Sequence, residues 1–153
     1  MQKLLIPLLL IMTLSPVLAQ AGDDGLITKK SNYSVSETID KLEAVLTKKG
    51  VTIAVRWKHS DRANNVDIPL RPTELLIFGN PKLGSHMFTS NQTAGIDLPM
   101  KALAWEDEKG NVWLTYNDPV YLAKRHSIKD REHIVKKMTG ALNKFSNIAT
   151  GNK

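Results

Sequence analysis

The side chains best able to move a proton gather in one stretch, Tyr116-Asn-Asp-Pro-Val-Tyr-Leu-Ala-Lys-Arg-His126, where an aspartate, two tyrosines and a histidine fall within eleven residues. A histidine beside a carboxylate can serve as general acid or base near neutral pH. Asp118 is followed by Pro119, however, and that pair reads as a helix start. The carboxylate accepts free backbone N–H groups, and the proline supplies a first residue whose missing N–H costs nothing. From Asp118 to His126 is then eight residues of helix, about 12 Å of rise, too far for a hydrogen bond. A partner for His126 has to come from another segment, and Asp97 and Glu106 are the candidate carboxylates. Each of the three also has a structural use: Asp97 ahead of Leu98-Pro99 caps a turn, Glu106 is the wet end of a strand, and His126 closes a helix at its C-terminal carbonyls.

Other chemistries find less support. The remaining histidines are His59, His86 and His133, and none forms an HxH or HExxH spacing that would bring two imidazoles onto one ion. His126 and His133, seven residues apart, would be about 10.5 Å apart along a helix. No metal ligand set is assigned. There is no cysteine, and neither a GxSxG turn nor an SxxK motif, so no nucleophile is marked.

The elements that must hold these residues are legible in outline. Residues 26–30 form a short first strand. Ser34-Val-Ser-Glu37 matches a capping box, and Val35, Ile39, Leu42, Val45 and Leu46 then recur at helical spacing up to the stop at Gly50. Val51-Thr-Ile-Ala-Val-Arg-Trp57 alternates as a strand does. The polar stretch 58–72 is a loop, and Glu74-Leu-Leu-Ile-Phe-Gly79 has the apolar run of a central strand covered on both faces. Asn80-Pro81 makes a turn into a short helix over 82–91. Residues 100–117 form a hairpin; with Glu106 opposite Asn111, Leu103 and Trp105 share the core face with Val112, Leu114 and Tyr116. Ala102 and Ala104 then lie beside Trp113, Thr115 and Asn117, under either a packed helix or a shallow apolar pocket rimmed by Glu106 and Asn117. A short helix from Pro119 and a long one over 130–148, with the stripe Ile134, Met138, Ala141, Leu142, Phe145 and Ile148, complete the chain before a polar tail, 150–153. Adjacent strand pairs among helices give an α+β class, a mostly antiparallel mixed sheet of about five strands with helices packed on it, in a single compact domain.

The chain's 42% apolar and 24% charged residues suit one globular domain and exclude a disordered or fibrous one. Residues 1–21 hold one lysine, an apolar run over 4–14, Pro16 and Ala19-Gln-Ala21, the pattern of a secretory signal cleaved after Ala21. The run is about half the length that crosses a bilayer. The expectation is an exported protein, periplasmic or secreted, with no transmembrane anchor in its mature form, and without cysteine it can carry neither a disulfide nor a lipid-modified N-terminal cysteine. The mature chain keeps 20 basic and 15 acidic side chains, a net charge of +5. The basic residues are scattered as pairs with no nucleic-acid motif, so nucleic acid is not an expected partner.

Three ordered blocks carry a resemblance: Thr73-Glu-Leu-Leu-Ile-Phe-Gly-Asn-Pro-Lys82, Gly95-Ile-Asp-Leu-Pro-Met-Lys-Ala-Leu-Ala-Trp-Glu-Asp107 and Val112-Trp-Leu-Thr-Tyr-Asn-Asp-Pro-Val-Tyr-Leu-Ala-Lys-Arg-His126. Over residues 25–148 the chain resembles the domain of unknown function 302 family. The resemblance implies a compact α+β domain, often behind an export signal, and no established reaction or cofactor. The chain departs from the family pattern at Ser85-His-Met87 and at Ser127, where a glycine is usual. Three classes of function stay open: a binding module for a small ligand, an interaction protein or homodimer, and an enzyme using His126 with a carboxylate from another block. The candidate ligand-binding residues are Asn80, Asp97, Glu106, Trp113, Asn117, Tyr121 and His126, with Asp118 and Pro119 as structural residues.

Overall fold

The computed structural model describes residues 24–152, so the expected signal segment lies outside the described residues. Five strands, β1 (Leu26–Ser31), β2 (Thr52–Lys58), β3 (Thr73–Gly79), β4 (Met100–Glu106) and β5 (Val112–Asn117), form one sheet in the order β1-β5-β4-β3-β2. Every neighbouring pair is antiparallel. The helices are α1 (Val35–Lys48), α2 (His59–Asn64), α3 (Pro81–Ser90), α4 (Pro119–Arg125) and α5 (Glu132–Thr150), with a 3-10 turn at Gln92–Ile96. The α+β expectation holds, and the sheet is wholly antiparallel rather than mixed.

Local signals are realised where the chain itself satisfies them. Ser34 Oγ accepts the Glu37 N–H while the Glu37 carboxylate accepts the Ser34 N–H, so α1 begins at the capping box. At its other end Val51 N–H donates to Leu46 O and Gly50 N–H to Thr47 O, with Gly50 at a φ of 68° that closes the helix in the left-handed conformation. The stretch 58–72 differs from the expectation of a loop throughout: its first residues wind into α2, a helix too short to show an apolar period.

The hairpin register differs as well, and by one residue. Asp107 accepts the backbone N–H groups of Lys109 and Asn111 and pairs its own N–H with Asn111 O. The turn therefore closes at Asp107 and Asn111, and Glu106 lies opposite Val112. A one-residue slip exchanges the two faces of a strand. Ala102 and Ala104 sit on the core face with Val112, Leu114 and Tyr116, all buried, while Leu103 and Trp105 share the other face with Trp113 and Thr115. The small alanines let α1 approach β4 closely.

All core contacts lie on one side of the sheet. In β3 the buried residues are Glu74, Leu76 and Phe78, alternating with partly exposed Leu75 and Ile77. β3 is an interior strand, yet its apolar run is not covered on both faces as expected. α1 and α5 pack on the covered face and on each other. In α5 Ile148 is 48% exposed and drops out of the expected stripe, replaced by Val135, Ser146 and Ala149. The expected tail at 150 is part of the fold: Thr150 is fully buried, Asn32 N–H donates to its carbonyl, and Asn152 Nδ2 donates to Lys30 O.

Candidate functional site

Two neighbouring features arise where the ends of β3 and β4 meet α3. The first is a side-chain cluster around His126. Its Nε2 lies 2.5 Å from Asp97 Oδ2 and its Nδ1 3.0 Å from Thr93 Oγ1. Asn91 Nδ2 donates to the His126 carbonyl at 2.8 Å, and the Arg125 guanidinium is 3.5 Å from Asp97 Oδ1. Lys101 Nζ donates to the Asp97 carbonyl. Of the two carboxylates considered for His126, the fold brings Asp97 to it, while Glu106 stands at the far end of β4, where its carbonyl accepts from Arg71.

Hydrogen-bond accounting limits what this cluster can do. Nε2 faces Asp97 and Nδ1 faces Thr93 Oγ1, whose own hydroxyl proton is donated to Asn91 Oδ1 at 2.8 Å. Both ring nitrogens are then occupied inside the protein, and the His126 side chain is 6% exposed. The imidazole holds the 3-10 turn to the C-terminus of α4. Ser127 follows in the left-handed region at a φ of 54°, with Ile128 N–H on Ala123 O and Ser127 N–H on Lys124 O, the bonding of a Schellman end. That φ is the physical reason a glycine suits this position.

The second feature is a cavity of about 320 Å³ beside this clamp. Leu98 and Pro99, immediately after Asp97, form part of its wall. Phe78, Leu83, Phe88, Met138, Leu142 and Phe145 supply most of the remaining side chains, with Leu46 from α1. Gly79, Gly84, Ala54 and Ala141 also line it, and these small residues are what leave the space open. Asn80, Thr52 and Ser85 are the polar residues at its boundary. Asn80 caps α3 through its side-chain oxygen on Lys82 N–H at 2.9 Å, so it serves both the turn and the cavity wall.

The other sequence candidates are dispersed. Trp113 lies on the face of the sheet opposite the helices, its indole N–H donated to Asp107 Oδ2 at 2.9 Å. That bond is the first cause holding the Asp107 carboxyl well below the usual carboxylate range, and N–H groups of Asn111 and Lys109 add to it. Asn117 pairs with Leu26 at the end of β5, and the Tyr121 ring packs against Gly25. Neither joins the cavity. Asp118 accepts Val120 N–H as the N-cap and Pro119 takes the first helical position, fully buried, as expected. Among the described residues no three His, Asp, Glu or Cys side chains converge on a common point. Asn80 is legible in the sequence and the cavity is not, because its wall comes from six elements whose apolar residues each look like ordinary core.

Residues 27–145 match the family described as domain of unknown function DUF302. The chain belongs to this family. A solved relative, the uncharacterised conserved DUF302 protein from Bacillus stearothermophilus, shares the fold with a TM-score of 0.66 at 17% identity, over 83% of this chain and 96% of that one. Among curated proteins the chain is similar to the fluoride-specific ion channel FluC 1 of Brucella suis, 46% identical over 113 residues, and at the same identity to FluC 1 of Brucella abortus. The match takes in 74% of this chain but 44% and 42% of those proteins, so the chain spans less than half the length of these relatives. No helix among the described residues is long and apolar enough to cross a membrane.

Proposed function

We propose that this DUF302 domain is an exported binding module that holds a small, mainly apolar molecule in the cavity between α3, α5 and the ends of β3 and β4. The observation that carries the reading is a cavity of about 320 Å³ whose wall is almost entirely apolar. Small-molecule sites have this character, apolar walls with few polar groups at the margin. An engineered apolar cavity of roughly 150 Å³ accepts benzene; by proportion this one suits a ligand of about a dozen non-hydrogen atoms, such as a medium-length acyl chain or a two-ring compound. A fluoride ion is a poor fit to the same wall, since apolar side chains offer a strongly hydrated anion nothing in exchange for its water. The names of the Brucella relatives therefore add no ligand to this reading. An enzyme built on His126 has less support, because its nitrogens already bond Asp97 and Thr93.

Native mass spectrometry of the protein purified from its own cells tests the proposal, together with thermal melts against medium-chain alcohols, fatty acids and bicyclic terpenes. A true ligand at a hundredfold its Kd adds about 2.7 kcal/mol to stability. Ala141→Phe, which fills the cavity from α5, is expected to abolish the ligand-induced shift while leaving the protein folded. Absence of retained mass together with no shift from any compound of the panel would sink the reading.

A further inference from the structure

The side of the sheet away from α1 and α5 is covered only at its β2 edge, by the short helix α2. We propose that this open face is the surface through which two copies of the chain pair as a homodimer. The inference is independent of the cavity, which lies on the opposite side of the sheet.

Register fixes which residues the face presents. Val55 and Trp57 of β2 lie opposite Ile77 and Leu75 of β3, Leu75 lies opposite Leu103 of β4, and Trp105 of β4 lies opposite Trp113 of β5. The chain has three tryptophans, and all of them stand here. Tryptophan is among the residues most concentrated in the energetic centres of interfaces, whereas on a free surface it leaves a large apolar area in water. Val55 is 40% and Trp57 38% exposed.

The polar atoms at the centre of the face are satisfied within the chain, and its cations stand at the two edges, Lys30 beside Trp113 on β1 and Arg62 over Trp57 at β2. Trp105 Nε1–H donates to Thr115 Oγ1 at 2.9 Å, and Trp113 Nε1–H to Asp107 Oδ2. The hydroxyls of Thr28 and Thr115 bond each other at 3.0 Å. The Lys101 ammonium turns down onto the carbonyls of Asp97 and Pro99. Water can therefore leave the centre of the face without stranding a donor, and the Lys30 ammonium at the β1 edge keeps its own water at the rim.

Area and charge select the occupant. Five strands at about 4.8 Å spacing and six residues long at about 3.3 Å each present on the order of 500 Å² in projection. Arg62 of α2 stacks over the Trp57 ring, 3.3 Å from its centroid, so α2 and the loop after it stand at this edge. Val66, Ile68 and Leu70 in that loop are 64%, 60% and 42% exposed. Face and rim together approach the roughly 800 Å² per partner of a standard stable interface. The centre of the face bears no free charge, so a polyanion or an anionic lipid surface finds nothing there to bind. A flat, twisted apolar sheet is complementary to another sheet of the same twist packed at about 30°, and a two-fold axis supplies that partner from the same chain.

Sedimentation velocity and light scattering on the full chain, with tryptophan emission followed on dilution, test the proposal. The expected result is a dimer whose dissociation shifts the emission to the red, because all three fluorophores become wet together. Leu103→Lys, at the centre of the face, is expected to raise the dimer dissociation constant at least tenfold with an unchanged far-UV circular dichroism spectrum; Ile148→Lys on the helical side is expected to leave it unchanged. A wild-type protein monomeric at every concentration, or a Leu103→Lys protein as dimeric as wild type, overturns the proposal. Should Leu103→Lys fail to fold, the wild-type mass and emission decide alone. Ligand shifts measured on a monomer would leave the cavity reading standing, so the two fail separately.

Discussion

The two faces of the sheet are built from the same strands and differ in almost everything else. On the covered face Leu76, Ala104 and Leu114 have no exposed surface, and α1 and α5 close over them. On the open face Leu75, Leu103, Trp105 and Trp113 alternate with those residues along the backbone and keep partial contact with water. Stability resides in the first set because burial there is complete, and truncation leaves a void that the packed helices cannot fill. The second set is buried only in part, so each truncation there removes fewer contacts than in the first set.

The sharpest contrast is a pair of truncations. Leu114→Ala is expected to cost about 3 kcal/mol in urea unfolding, and Leu103→Ala under about 1 kcal/mol at concentrations where the protein is monomeric. Equal costs would break the distinction between the faces.

Neighbouring lysines of β1 give a second contrast. Lys30 faces outward, whereas Lys29 is 5% exposed on the covered face, its amine bonded to Asn143 O, Asn143 Oδ1 and Asn147 Oδ1 with no carboxylate among these partners. Burial lowers its pKa from 10.5 to about 8. The unfolded chain then keeps a proton that the folded chain has lost between those two values, so stability rises with pH across that window and the penalty is in full force below pH 8. Lys29→Met is expected to remove that rise, on the order of 3 kcal/mol across the whole window, and Lys30→Met to retain it; chemical denaturation at several pH values reads the difference. The smallest effect expected is in the helical layer at Ser127, whose φ of 54° suits glycine. Ser127→Gly is expected to raise stability by about 0.5 to 1 kcal/mol, seen as a higher melting temperature, with the Asp97–His126 contact intact.

Much of the fold was legible because its signals are local. Ser34 and Glu37 begin α1, Gly50 ends it, and Asp118-Pro119 starts α4, each through bonds made within a few residues. The exclusion of Asp118 as a partner for His126 was legible for the same reason, since helix geometry alone separates them. Its replacement by Asp97 was offered by the sequence only as one of two carboxylates; the 3-10 turn and the end of α4 had to pack together to choose it. The hairpin faces were misassigned because the side chain of Asp107 captured N–H groups of its own turn and moved the closing pair by one position. Where pairing alternates with period two, that shift reverses the reading of every residue on both strands.

By itself, then, the sequence determined the element types, most of their ends, the α+β class and the family blocks, because caps, turns and periodicity act over a few residues. Tertiary structure alone decided which strand face is bare, that three tryptophans share it, and that small residues from separate elements leave one apolar cavity. Those outcomes depend on register and on contacts between segments far apart in the chain, and the residues concerned carry no local mark of them.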